Sequence, residues 1–333
     1  MKAITYQSLG EIQNSELTNP TAEAYEVVVR VHASGICHTD IDILYGRYGN
    51  STFPLVPGHE YAGEVVEVGN KVTQFKTGDR VVVDPNIHCG NCRACKKGLY
   101  NLCDQLGAYG VTLHGGFAEY SVVHQDNIVP IAADLSYGVA ALAEPVGCVL
   151  NGVDAIETDT VDNALVFGSG PIGLLMALAL RSKGVKDVSM ADINESRLVL
   201  AESFGFTPIA SGSDNLAALK QSVDLAVDAT GVPAVAETLI DYAANGGNVL
   251  FFGVCPPGET IPVSPHDVFR RQIRIAGTHS LNHNIPEALQ TIDSIGPDIS
   301  RLISHSVELD EISGFLAKNQ QQDSLKVQAV LSS

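Results

Sequence analysis

Hydrophobic residues follow two different patterns along the chain. Up to about residue 148, short valine-rich runs alternate with glycine, asparagine, aspartate and proline, which is typical of short strands joined by turns. The predicted strands of this part cover residues 26–32, 63–68 and 80–84. The first part of the chain is therefore predicted to be a β domain.

From residue 163 onward, strand-like runs alternate with helical stretches. The predicted strands cover residues 164–167, 187–191, 223–228, 248–252 and 272–277. The predicted helices between them cover residues 171–183, 195–204 and 233–243. This alternation indicates βαβ units and a doubly wound parallel sheet. After about residue 283, two helices (285–295 and 309–318) and a last strand (326–331) are predicted.

Length and composition suit a folded protein of two domains. The chain has 333 residues, of which 45% are apolar and 17% charged, and its net charge is −18. This acidic balance argues against nucleic acid and anionic membranes as partners. The N-terminus lacks the apolar core of a signal peptide, and the longest apolar run, residues 172–180, is about half the length of a membrane span. We therefore expect a cytoplasmic protein without a membrane partner.

A glycine motif directly follows the predicted strand 164–167. Gly168 permits a tight turn, Gly170 lets backbone N–H groups approach a pyrophosphate, and Gly173 lets the next helix pack closely on the sheet. Asp192 ends the second strand, where a carboxylate accepts hydrogen bonds from ribose hydroxyls and repels a 2′-phosphate. The pattern predicts an NAD site. Further cofactor contacts are expected from Pro171, Ile172, Arg197, Thr230 and Val254.

Four of the seven cysteines lie close together in the sequence. They are Cys89, Cys92, Cys95 and Cys103. Four thiolates at this spacing predict a closed zinc site, whose role is structural because no position is left for substrate. An iron–sulfur cluster has a similar ligand set, and spacing alone leaves it open.

A second set of metal-ligating residues is dispersed. Cys37, His59, Glu60 and Glu144 offer one sulfur, one nitrogen and carboxylate oxygens. Such a mixed set is expected of a catalytic zinc that keeps a place for water or substrate. From the residues alone, a buried cysteine and a loop histidine without metal are equally good interpretations.

Several motifs resemble one enzyme family in order and spacing. Gly58-His59-Glu60-Tyr61-Ala62-Gly63 resembles the zinc signature of the medium-chain alcohol dehydrogenases. The Cys37-His38-Thr39-Asp40 block, the four cysteines and the glycine motif match the same family. Ala143-Glu144-Pro145 is similar to the polyol branch, typified by sorbitol dehydrogenase, and Tyr45-Gly46-Arg47-Tyr48-Gly49 points the same way.

The resemblance implies a fold and a set of roles. It implies a GroES-like zinc-binding catalytic domain (1–148), an NAD-binding Rossmann domain (149–283) and a C-terminal return to the catalytic domain (284–333). It implies Cys37, His59 and Glu144 as zinc ligands, with Glu60 as a fourth ligand or one that exchanges with water. Thr39, two residues after Cys37, is expected either to pass the hydroxyl proton outward or to cap a helix or turn. Asp42 holds the place of a histidine that relays protons in relatives. A homodimer or homotetramer is expected.

The predicted activity is the zinc- and NAD-dependent oxidation of a secondary alcohol, most simply a sugar alcohol, to a ketone. Residues 278–283 depart from the Arg-Tyr-x-Asn stretch found in many polyol dehydrogenases, so the substrate is less defined than the chemistry. The alternatives are a β-hydroxy amino acid such as threonine, and a phosphorylated polyol. The second ranks lower because Arg47 is the one obvious cation on the substrate-side segment. A non-catalytic binding protein would be indicated by a lost zinc ligand, and none is lost.

Overall fold

The structure is a computed structural model and describes residues 1–156, 158–317 and 324–331. Its strands are β1 (Lys2–Ser8), β2 (Glu11–Glu16), β3 (Glu26–Gly35), β4 (Glu60–Val68), β5 (Arg80–Val83), β6 (Asn86–Ile87), β7 (Gly107–Ala108), β8 (Tyr120–His124), β9 (Ile128–Pro130), β10 (Asn163–Phe167), β11 (Asp187–Asp192), β12 (Thr207–Ala210), β13 (Val223–Asp228), β14 (Ala243–Phe251), β15 (Arg274–Gly277), β16 (Ile303–Val307) and β17 (Lys326–Val330).

Helices connect these strands. They are α1 (His38–Leu44), α2 (Tyr137–Ala141), α3 (Ala143–Val153), α4 (Pro171–Ser182), α5 (Glu195–Ser203), α6 (Asp214–Ala218), α7 (Pro233–Ala236), α8 (Leu239–Tyr242), α9 (Pro265–Arg271), α10 (Ile285–Ile295) and α11 (Ile312–Ala317). Within the described ranges, no helix is both long enough and apolar enough to cross a membrane.

The chain divides into two units. Unit 1 comprises Met1–Gly147 and Leu281–Ser333, and unit 2 comprises Cys148–Ser280. In unit 1 a seven-stranded sheet has the order β16-β17-β3-β4-β5-β9, with β8 also paired to β3. Alternate valines of β3, namely Val27, Val29 and Val31, are at most 1% exposed. The inward face of this strand therefore supplies the core of unit 1, as its valine pattern predicts.

Unit 2 contains a six-stranded sheet in the order β12-β11-β10-β13-β14-β15. All of its strand pairs are parallel. This is the strand order of a dinucleotide-binding Rossmann fold, in which ligands bind beyond the carboxyl ends of the central strands. The central strand β10 is apolar and buried from Ala164 to Phe167 because helices cover both faces of such a sheet. The predicted fold class, a β domain plus a doubly wound parallel sheet, is confirmed.

Two predicted helices differ from the structure. The helix predicted over 233–243 is wrong as a single element, since α7 and α8 are separated at Glu237 and Thr238. The Thr238 hydroxyl donates to the Val235 carbonyl at 2.8 Å, a local bond that competes with helix continuation. Of the helix predicted over 309–318, residues Leu309–Glu311 form a 3₁₀ turn before α11, and Lys318 lies outside the described residues.

Candidate active site

A cluster of three potential metal ligands lies in unit 1. The ligand atoms of Cys37, His59 and Glu60 all lie within 4.8 Å of one another. Cys37 immediately precedes α1, Glu60 is the first residue of β4 and His59 precedes it, so a helix start and a strand start hold the three side chains. His59 and Glu60 are 6% and 1% exposed, so the imidazole and the carboxylate are shielded from water.

Asp40 organises this cluster and was given no role from the sequence. Its carboxylate accepts a hydrogen bond from the Cys37 N–H at 2.8 Å and another from the Gly58 N–H at 3.1 Å. Asp40 Oδ1 also lies 3.3 Å from His59 Nδ1. Burial lowers the pKa of His59, but the Asp40 carboxylate and the Cys37 thiol outweigh it and raise that pKa. With Nδ1 turned to Asp40, Nε2 is the nitrogen available to a metal.

Glu60 has a second buried partner, Lys326, which sequence reasoning also missed. Lys326 Nζ lies 2.6 Å from Glu60 Oε1 and 2.5 Å from Oε2. A Cβ on Gly35 would lie 2.5 Å from Glu60 Oε2, so glycine leaves room for the carboxylate. Burial lowers the pKa of Lys326, but nearby negative groups, Glu60 first, outweigh it and raise that pKa. No signal in the sequence points to this lysine.

Glu144 lies in the first turn of α3 and is 5% exposed. Its charge contributes to raising the pKa of Lys326, the partner of Glu60. Its carboxylate does not belong to the group of ligand atoms that lie within 4.8 Å of one another in the described part of the chain. The role of Glu144 as a zinc ligand therefore stays a prediction.

The two predicted proton-transfer residues lie on α1. Thr39 is half-buried near the helix start. Asp42 Oδ1 lies 2.9 Å from Arg47 Nε and 3.6 Å from His38 Nε2, and its side chain is 24% exposed. Asp42 is thus partly open to solvent and forms an ion pair with Arg47.

The cysteine lobe, residues 89–103, brings its four sulfurs within 4.8 Å of one another. All four cysteines are free thiols, and Cys92 Sγ lies 3.4 Å from Cys95 Sγ. The backbone N–H groups of Cys95 and Asp104 lower the pKa of Cys92 to about 6. Four sulfurs with donated N–H groups fit a tetrahedral zinc with no open position.

The glycine motif of unit 2 lies between β10 and α4. Gly168 has a φ of 97°, which glycine adopts readily. A Cβ on Gly173 would lie 1.8 Å from the Gly168 carbonyl oxygen, so only glycine fits there. Gly170 caps α4, and Pro171 is its first residue, with Ile172 next. The N–H groups of the first turn of α4 remain available to an anionic ligand.

Asp192 ends β11, the strand next to β10 in the sheet. Its Oδ2 accepts the Ser169 N–H at 2.7 Å and its Oδ1 accepts the Asn194 N–H at 2.9 Å. The guanidinium of Arg197 comes within 3.6 Å of where a Cβ on Gly170 would lie. The Asp192 carboxylate is therefore fixed beside the glycine motif.

The loop after β13 lies against the same motif. A Cβ on Gly168 would lie 3.0 Å from Thr230 Cγ2, and a Cβ on Gly231 would lie 2.5 Å from the Val254 carbonyl oxygen. Asp228, fully buried and missed from the sequence, holds the loop by accepting the Thr230 N–H at 2.7 Å and its hydroxyl at 2.6 Å. Its position at the end of a predicted strand was the available signal. The Val254 side chain is 84% exposed and free to contact a ligand.

Comparisons with known proteins agree with both units. Residues 23–133 match the family described as alcohol dehydrogenase GroES-like domain, and residues 171–294 match the family described as zinc-binding dehydrogenase. D-altritol 5-dehydrogenase of Agrobacterium fabrum is 51% identical over 322 residues, which are 96% of each chain. D-arabinitol dehydrogenase 1 of Uromyces fabae is 31% identical and covers 98% of this chain and 96% of its own.

Two further similarities bear on substrate and cofactor. L-threonine 3-dehydrogenase of Rhizobium etli (strain CIAT 652) is 31% identical and covers 90% of this chain and 89% of its own. A zinc-binding dehydrogenase of Sinorhizobium meliloti 1021, solved bound to NADP, superimposes with a TM-score of 0.92 at 31% identity over 99% of each chain. The predicted family and its polyol branch are confirmed. The chain therefore belongs to the zinc-binding alcohol dehydrogenases and is a zinc-dependent oxidoreductase of CH–OH donors.

Proposed function

We propose that this protein interconverts a secondary hydroxyl of a sugar alcohol and the corresponding ketone, with NAD as the hydride acceptor. The observation that carries the proposal is the buried cluster of Cys37, His59 and Glu60, with ligand atoms within 4.8 Å. A mixed set of sulfur, nitrogen and oxygen ligands is typical of catalytic zinc. The 51% identical D-altritol 5-dehydrogenase supports a polyol as the substrate class.

The catalytic zinc would be held by Cys37, His59 and Glu144, with Glu60 as a fourth ligand or one that exchanges with water. The contact between Glu60 and Lys326 supports exchange, because the carboxylate has a partner when it leaves the metal. Zinc bound there would act as a Lewis acid and lower the pKa of the substrate hydroxyl.

The hydroxyl proton would leave along α1. Thr39, two residues after Cys37, would accept it while donating its own hydroxyl proton onward, and the partly exposed Asp42 would pass that proton to solvent. Because Arg47 already binds Asp42, a substrate phosphate would have to compete with this carboxylate for the guanidinium. That contact disfavours a polyol phosphate as substrate.

The Asp192 carboxylate supports NAD in preference to NADP. Each of its oxygens accepts one backbone N–H and has a further lone pair for a ribose hydroxyl. A 2′-phosphate at the same place would meet the negative charge. We assign the cofactor to Gly168, Gly170, Gly173 and Asp192, with contributions from Pro171, Ile172, Arg197, Thr230 and Val254.

Threonine is the second candidate substrate, because the L-threonine 3-dehydrogenase of Rhizobium etli is 31% identical to this chain. NADH production distinguishes a polyol from threonine as the substrate. It is measured over a panel of D-altritol, D-arabinitol, sorbitol, galactitol 1-phosphate and L-threonine, with zinc content determined on the same sample. We expect turnover of a free polyol and its loss in His59→Ala. Turnover of L-threonine alone would select the amino acid, and no turnover by a zinc-loaded sample would contradict the proposal.

We assign residues 1–148 to the catalytic domain, 149–283 to the NAD-binding domain and 284–333 to the return into the catalytic domain. We also propose a homodimer or homotetramer in the cytoplasm. The net charge of −18 supports a small-molecule substrate over nucleic acid or an anionic membrane as partner.

A further inference from the structure

The chain re-enters unit 1 through residues 281–284, the return segment, whose polar side chains have no role in the proposed chemistry. Asn282 lies in the middle of this segment. Its Nδ2 donates to the Gly98 carbonyl at 2.9 Å, and its Oδ1 accepts the N–H groups of Tyr100 at 2.9 Å and Asn101 at 3.4 Å. One amide side chain thus pairs with three backbone groups of a single short stretch.

That stretch is the connector between the third and fourth cysteines of the cysteine lobe. Gly98 follows Cys95 by three residues, has a φ of 74° and donates its N–H to the Cys95 carbonyl at 3.0 Å. The Cys103 N–H donates to the Tyr100 carbonyl at 3.1 Å. These hydrogen bonds set the shape of the connector between Cys95 and Cys103, and Asn282 pairs with the backbone groups that this shape presents.

His283 makes a second connection to the same region. Its Nδ1 lies 2.7 Å from Asp84 Oδ2, and its Nε2 lies 2.7 Å from the Nδ1 of His88, which directly precedes Cys89. His283 has a φ of 55°, a conformation that a histidine keeps only when its surroundings hold it. The Leu281 carbonyl accepts from Asn86 Nδ2 at 2.9 Å. Three successive residues are thus bound to the segment that leads into the lobe or to the lobe itself.

We propose that the metal of the cysteine lobe orders the return segment, with Asn282 and His283 as the positioning residues that connect the two. Asn284 extends the effect, because its Nδ2 donates at 2.9 Å to the carbonyl of Gly147, where the chain leaves unit 1. Coupling between two sites is reciprocal, so the return segment must also retain the metal. The lobe thereby has a second role besides stability: it fixes the place where the chain returns.

Zinc release tests this coupling. The background is His59→Ala, which disables the catalytic cluster, so a chromophoric chelator reports mainly the cysteine lobe. We expect Asn282→Ala to release zinc about tenfold faster, since it removes hydrogen bonds to the connector. Asn14→Ala is the matched control, because its side chain donates to the Asp310 carbonyl at 3.0 Å and not to the lobe or the return segment, and it should stay within about twofold. Asn282→Asp, which keeps the acceptor for Tyr100 and loses the donor to Gly98, should fall between them. Equal release rates in all variants would overturn the proposal.

Hydrogen exchange tests the reverse direction. Removal of zinc from the intact chain should raise amide exchange in residues 281–287 by about tenfold or more, and Asn282→Ala should reduce that zinc dependence. If the zinc-free chain unfolds as a whole, amide exchange is instead compared between the zinc-bound Asn282→Ala variant and the zinc-bound wild type. Faster exchange in both 281–287 and 96–103 supports the coupling, whereas a change confined to 281–287 contradicts it.

Discussion

The Lys326 ammonium and the Glu60 carboxylate form a buried ion pair, with Nζ 2.6 Å from Oε1 and side chains that are 4% and 1% exposed. Lys326 also donates to the Ile36 carbonyl at 3.3 Å. A charge removed from water requires a partner, and each of these two residues supplies it for the other. The pair therefore fixes the position of the Glu60 carboxylate next to Cys37 and His59, whose ligand atoms lie within 4.8 Å of its own.

Lys326→Met should destabilise the protein by about 3–5 kcal/mol, because it leaves the Glu60 charge buried without a partner. Urea unfolding of the zinc-depleted protein measures this change. Lys76→Met is the control, since the ion pair of Lys76 with Asp79 is exposed on the lysine side at 84% and should contribute about 0–1 kcal/mol. Similar changes in the free energy of unfolding for the two substitutions would show that the buried ion pair does not stabilise the protein.

Asp40→Asn should weaken zinc binding at the catalytic cluster by about 10–100-fold, because the group that orients His59 loses its charge. Competition with a chelator of known affinity measures this. Asp42→Asn, on the same helix but directed at Arg47, should leave the zinc affinity unchanged. If the Asp40→Asn protein binds zinc with wild-type affinity, Asp40 does not contribute to zinc binding.

His59→Ala should abolish hydride transfer while NADH still binds, because the proposed cofactor residues Gly168, Gly170, Gly173 and Asp192 are untouched. Thr39→Val should reduce turnover by about 10²–10⁴-fold, the usual contribution of a proton-transfer group. Steady-state kinetics and NADH fluorescence titration provide the two measurements. Full activity of His59→Ala, or of a chelator-treated sample, would exclude the zinc mechanism.

NAD should be preferred over NADP by more than tenfold in kcat/KM, which corresponds to about 1.4 kcal/mol. Asp192→Ser should narrow this preference, since the charge that repels the 2′-phosphate is gone. Asp187→Ser, at the exposed start of the same strand, is the control and should leave the ratio unchanged. Equal efficiency of the wild type with both cofactors would contradict the role of Asp192.

The stability contributed by His283 should depend on pH. The hydrogen bond to Asp84 raises the pKa of His283, although burial opposes this. A group whose pKa is raised on folding stabilises the protein fully below its unfolded pKa of about 6.5, and this stabilisation is lost as pH rises through the folded pKa. The difference in unfolding free energy between wild type and His283→Gln should therefore be largest near pH 6 and shrink toward pH 9. A pH-independent difference would show that His283 does not titrate in this way.

Local constraints made much of this protein predictable from its sequence. The tight turn at Gly168 and the close approach at Gly173 depend on residues a few positions apart, so the motif alone predicts this turn and proposes it as the cofactor loop. The same holds for the four cysteines, whose spacing within fifteen residues predicts one metal site. The alternation of strands and helices predicted the parallel sheet for a related reason, because burial on both faces requires apolar runs.

Contacts between distant residues were decided only by the tertiary structure. Lys326 lies 266 residues from Glu60 in the chain, and the two meet because β17 pairs with β3, which pairs with β4. Asn282 also contacts a distant residue, Gly98, which is 184 residues away in the chain. The sequence around a lysine or an asparagine does not identify the residue that it will bind. The partner is set by which residues the rest of the fold places next to it. The ion pair at the catalytic cluster and the attachment of the return segment are therefore properties of the folded chain, whereas the candidate ligand types and the glycine turn are already predicted by the sequence.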